Sequence, residues 1–139
     1  MGNNIKEAAR RSAPFEFGIA TQALGMDRFL VSAHGDVDLV TAPELETELL
    51  DTAHSGARQV VVDLTEATFF DSSGAHALMR AGERLQSTGL QFAIVCGNHV
   101  IKSILEITGI DQIFPVHATI DNAIGPIGAP EGSPGGVYA

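Results

Sequence analysis

The stretch "FFDSSGAHALMRAGERL", residues 69–85, decides how this chain is read. Two phenylalanines run into Asp71, Ser72, Ser73 and Gly74, and from there Ala77, Leu78, Ala81 and Leu85 recur at helical spacing. Asp and Ser are favoured at helix starts because their side-chain oxygens accept from the free N–H groups of the first turn. The spacing therefore predicts a helix that opens at Asp71-Ser72-Ser73-Gly74 and ends at Ser87-Thr88-Gly89, where the chain must turn. The same start raises a functional question. Free N–H donors and the positive end of the helix dipole stabilise a phosphate dianion, so a serine there can be phosphorylated without unfolding the helix. About two added negative charges would act at a docking face by repulsion or steric block. The capped helix and the phosphosite are compatible readings.

Working outward, "QVVVDL" (59–64) and "LQFAIVCG" (90–97) are short apolar runs of the kind that form strands buried on both faces, and so central and parallel. Upstream, "FEFGIATQAL" and "DRFLVSAHGDVD" alternate in strand fashion around Gly25-Met26-Asp27, which predicts an antiparallel hairpin. Thr41, Pro43 and the acids behind them open a helix with Leu45, Leu49 and Leu50 on one side, stopping at Gly56. Downstream, "HVIKSILEITGI" predicts a third helix with Val100, Ile104, Leu105 and Ile107 inward and Gly109 as its stop. "DQIFPVHA" supplies a last strand and "TIDNAIGPIG" a closing half-helix. The order β-β-α-β-α-β-α-β-α describes an α/β domain with a mixed sheet of about five strands and about four helices.

The composition sets limits on function. A chain of 139 residues fits one domain, and 45% hydrophobic against 18% charged residues suits a packed core. Residues 1–13 are polar and 125–139 rich in Gly and Pro, so both read as flexible tails around a folded unit at 14–124. Eight Lys and Arg against 17 Asp and Glu give a net charge of −9, which argues against nucleic acid and anionic membranes as partners. Cys96 is the single cysteine, no signal-peptide core is visible, and no run of about 18 apolar residues occurs, so a cytoplasmic protein is expected.

Other chemistry is poorly supported. A nucleophilic serine needs a base and an oxyanion hole; His34, His54, His76, His99 and His117 are present, but the Gly-x-Ser-x-Gly elbow is absent from the stretch. Hydrolysis is the weakest reading. No histidine pair with a carboxylate stands at ligand spacing, so neither metal nor cofactor is expected, and no catalytic residue. Gly97-Asn98-His99 reads as a strand-to-helix turn and Cys96 as a small core residue. Asp36 and Asp38 read as turn acids, or, with Asp38 beside Ser72, as groups that position its hydroxyl.

Three separated motifs carry a resemblance: "HGDVDLVTAPEL" (34–45), "QVVVDLTEATFFDSSG" (59–74) and "NHVIKSILEITGIDQIF" (98–114). In order and spacing the chain resembles the STAS domain of bacterial anti-sigma factor antagonists over roughly residues 15–122. The resemblance implies helices packed mainly on one face of the sheet and a phosphoacceptor at Ser72, with Ser73 as the fallback and Asp38, Asp71 and Gly74 as its neighbours. It implies that the unmodified protein binds an anti-sigma factor, typically a serine kinase with a GHKL-type ATP site, and so frees a sigma factor. Phosphorylation by that kinase would release the antagonist, and a serine phosphatase would restore it. Asp36, Asp38, Thr41, Ser73, Ala75 and His76 are the implied partner-binding residues, and the protein would be a monomer or weak homodimer. Where the family usually has Gly-Glu-Leu-Asp this chain has Gly35-Asp36-Val37-Asp38, and Ala75-His76 replaces a common Leu-Gly pair. A non-cycling scaffold or accessory subunit, in a stressosome-like or lipid-transport complex, is the alternative reading of the same domain.

Overall fold

The computed structural model describes residues 16–124. The tails expected at 1–13 and 125–139 lie outside them. In chain order the elements are β1 (Gly18–Ala23), β2 (Arg28–Val37), α1 (Ala42–Ala53), β3 (Gln59–Asp63), β4 (Ala67–Phe70), α2 (Ser72–Ser87), β5 (Gln91–Val95), α3 (His99–Ile107), a 3₁₀ turn at Ile110–Gln112, β6 (Val116–His117) and α4 (Ile120–Ile124). The main path of the sheet runs β1-β2-β3-β5-β6. β1 is antiparallel to β2, as the hairpin reading expects, and β2-β3, β3-β5 and β5-β6 are parallel.

Alternation along the central strands sorts the core. Val31, Val60, Val62, Phe92 and Ile94 face one way and pack on Leu45 and Leu49 of α1, Ala77, Leu78, Ala81 and Leu85 of α2, and Ile101 and Leu105 of α3. Leu30, Val61, Ala93 and Val95 point to the other face, where Ile124 of α4 lies with them. Three helices thus cover one face and the short α4 contributes to the other, which matches the expected one-sided arrangement.

Two details differ from the sequence reading. β4 is a sixth strand, four residues long, which pairs in parallel with the last part of β2 (Gly35↔Ala67, Val37↔Phe70) across an irregularity at Gly35/Asp36. Gly35 makes this possible: its φ is +83°, and a Cβ there would meet the Glu16 carbonyl at 2.2 Å. In α3 Leu105 and, half-buried, Ile104 turn inward as expected and Ile101 joins them, while Val100 and Ile107 are 70% and 84% exposed. That corrects the expected places of Val100 and Ile107, for the helix carries apolar residues on several sides and only tertiary packing chooses between them.

Candidate functional site at the helix-start edge

α1, α2 and α3 all begin where the chain leaves the carboxyl ends of parallel strands, so their starts share one edge of the sheet. Direct hydrogen bonds tie the starts together. The Asp71 N–H donates to the Val37 carbonyl at 3.3 Å, the Asn98 side-chain amide donates to the Ala67 carbonyl at 3.2 Å, and the Gly97 N–H donates to the Thr65 hydroxyl at 3.0 Å.

α2 opens as its sequence predicts. Asp71 is extended, with φ −114° and ψ −170°, and its carboxylate accepts from the N–H groups of Ser73 at 2.9 Å and Gly74 at 3.2 Å. Ser72 is therefore the first helical residue and is exposed; Ser73 is half-buried. Among the described residues the Ser72 hydroxyl has no hydrogen-bond partner. Gly74 is buried, and a Cβ there would come within 2.7 Å of the Phe70 ring. His76 lies one turn beyond Ser72 on the same side of the helix and is exposed. Ala75 is 3% exposed and belongs to the core, which corrects its expected place at a partner surface. Successive helical positions are about 100° apart, so Ala75 turns inward and His76 outward.

The β2–α1 turn is knotted by Asp38. Its carboxylate accepts from the N–H groups of Val40 at 3.0 Å and Thr41 at 3.1 Å, and its carbonyl accepts from the Ala42 N–H at 2.8 Å. The Thr41 N–H donated to it holds the Asp38 carboxyl below its ordinary range, against a smaller opposing effect of desolvation. The Thr41 hydroxyl accepts from the Asp38 N–H and donates to the Asp36 carbonyl, and the Asp36 carboxylate accepts from the Thr68 hydroxyl at 2.8 Å. The Asp71–Val37 bond sets Asp38 and Ser72 one step beyond a shared backbone contact. Asp38 spends its carboxylate on its own turn, however, and forms no hydrogen bond to Ser72 among the described residues.

Asn98 caps α3, accepting from Val100 and Ile101 N–H groups, so Gly97-Asn98-His99 is a strand-to-helix turn. Cys96 is buried and its thiol pKa is pushed up by burial, the reverse of a reactive cysteine. Sequence reasoning missed four exposed apolar side chains at this edge: Leu39, Val40, Phe69 and Val100. Neighbours on a strand point to opposite faces, and here Phe70 enters the core while Phe69 is left 49% exposed.

A sequence model of the STAS domain matches residues 20–123. The chain belongs to the STAS domain family. Over 95 residues the domain is 25% identical to the anti-sigma-F factor antagonist RsfB of Mycobacterium tuberculosis, covering 68% of this chain and 77% of that protein. It is 28% identical over 92 residues to the anti-sigma-B factor antagonist of Staphylococcus aureus, covering 66% and 85%. Among solved structures, an anti-sigma factor antagonist from Mycobacterium paratuberculosis superposes with a TM-score of 0.73 at 27% identity, over 83% of this chain and 97% of that one. The STAS domain here is thus similar, over most of each chain, to proteins that share one kind of name. Among its described residues no helix is long and apolar enough to cross a membrane.

Proposed function

We propose that this STAS domain is an anti-sigma factor antagonist: unmodified, it binds an anti-sigma factor with serine kinase activity, and phosphorylation at Ser72 ends that binding. Its similarity to the mycobacterial and staphylococcal antagonists supports the role. The observation that carries the switch is the exposed, unbonded Ser72 hydroxyl at the first position of a capped helix. A phosphate there gains from the helix N-terminus but stands close to Asp71 and to the Asp36–Asp38 turn, so it adds charge to an acidic docking edge. Asp36, Asp38, Thr41, Ser73 and His76 form the remaining partner contacts, and the domain acts by binding rather than by catalysis. The reading places a monomer or weak homodimer in the cytoplasm, with a folded unit at 14–124 and a serine phosphatase to reset it.

Incubation with a purified kinase-type anti-sigma factor and ATP should add about 80 Da at Ser72. Ser72→Asp should lose binding to that factor and Ser72→Ala keep it. Binding of Ser72→Asp as tight as wild type would overturn the switch, and phosphate found only on Ser73 would move it by one residue.

A further inference from the structure

Seven large hydrophobic side chains are exposed among the described residues, and they are not scattered evenly. Leu39 (75% exposed) and Val40 (77%) directly precede the Thr41 cap of α1; Phe69 (49%) stands two residues before the Asp71 cap of α2; Val100 (70%) stands two residues after the Asn98 cap of α3. All four therefore lie within two residues of the three helix starts that share one edge. Single exposed apolar residues are ordinary, but a group of them in one place marks a binding surface.

We propose that Leu39, Val40, Phe69 and Val100 are the apolar anchors on which the anti-sigma factor docks, an inference that rests on the function proposed above and adds the source of its binding energy. The hydrogen bonds from Asp71 to Val37 and from Asn98 to Ala67 hold the anchors in one frame, so little ordering is needed on docking. Charge selects the occupant. Asp36, Asp38 and Asp71 lie among the anchors with Lys102 of α3 as a nearby cation, whereas Arg28 and Arg58 sit at the opposite ends of β2 and β3, and Arg80 is paired with Glu46, so acids outnumber bases at this edge. A second copy of this chain, also at −9, would bring acid against acid at this edge. The matching surface is an apolar patch bordered by Lys and Arg, on a different protein.

The test uses the full chain and a panel of purified kinase-type anti-sigma factors, with affinity measured by calorimetry and oligomeric state by sedimentation. Phe69→Ser, Val100→Ser and the double change Leu39→Ser with Val40→Ser should each weaken binding at least about tenfold. Met26→Ser and Ile107→Ser, which remove exposed apolar residues elsewhere, should leave it within about twofold, and thermal midpoints should be preserved throughout. Wild-type affinity in the anchor variants, with Ser72→Asp still unable to bind, would overturn the anchors and leave the switch standing. If no factor binds the wild type, the functional reading fails and the anchors with it. A wild-type homodimer dissolved by the anchor substitutions would assign the patch to a second copy and overturn the proposal.

Discussion

Gly74 sits against Phe70 so closely that a Cβ on the glycine would lie 2.7 Å from a ring carbon, with two further ring carbons at 3.0 Å. Phe70 is 2% exposed and ends β4, while Gly74 is in the first turn of α2, so the ring occupies the space a side chain would need. Replacing a helical glycine by alanine ordinarily gains about 1 kcal/mol. Here overpacking of about 1–3 kcal/mol opposes that gain. Gly74→Ala should therefore lower stability by up to about 2 kcal/mol in urea unfolding, and Phe70→Leu should relieve part of the loss when the two are combined. A stabilised Gly74→Ala would show that the ring moves freely.

The Asp71 cap makes a second prediction. Asp71→Ala removes the acceptor for two first-turn N–H groups and should cost about 1 kcal/mol, whereas Asp71→Asn caps equally well and should leave the unfolding midpoint near wild type. Equal losses in both variants would show that charge, not the hydrogen bonds, secures the helix start.

Asp38 gives the domain an acid-sensitive turn. Its folded-state pKa is lowered from 3.8, chiefly by the Thr41 N–H, so the unfolded chain takes up the proton first as pH falls. The stabilisation is fully present above that ordinary value and is lost as pH drops through the lower folded one. Asp38→Ala should be less stable at neutral pH, and its stability should fall less steeply than wild type below about pH 4 in urea midpoints measured across the acid range. Parallel acid limbs for the two proteins would remove Asp38 from the turn.

In α3, adjacent residues separate packing from surface. Ile101 is 1% exposed and Val100 70% exposed. Ile101→Ala should cost about 2–4 kcal/mol and Val100→Ala less than about 0.5 kcal/mol, read by chemical denaturation. The reverse order would restore the inward face suggested by spacing alone.

Where one signal dominated locally, the sequence could be read. α1 has Thr41, Pro43 and a leucine stripe; α2 has its Asp cap and a single small-residue face; β3 and β5 are unbroken apolar runs. β4 escaped because four residues are too few to show a period, and because its partner, β2, is about thirty residues away in the chain. The face of α3 escaped because Val100, Ile101, Ile104, Leu105 and Ile107 offer two competing stripes. At the site, the cap residues could be read from local chemistry, while the inward turn of Ala75 and the grouping of Leu39, Phe69 and Val100 arise only when three distant helix starts meet at one edge.

β2 also divides its hydrogen bonding. Arg28 through Ser32 pair with β3, and Gly35 through Val37 pair with β4, with Ala33 and His34 between the two ladders and the irregularity at Gly35/Asp36 inside the second. The strand is thus a hinge post with two leaves. The β4 leaf is held by its short ladder, by the Asp71–Val37, Asn98–Ala67 and Thr68–Asp36 bonds, and by Phe70 in the core, while β1, β2, β3, β5 and β6 pair along a path that does not pass through it. The edge that carries Ser72 is thus fastened to β2 by bonds separate from those that close the main sheet, so its position is set by the last three residues of that strand.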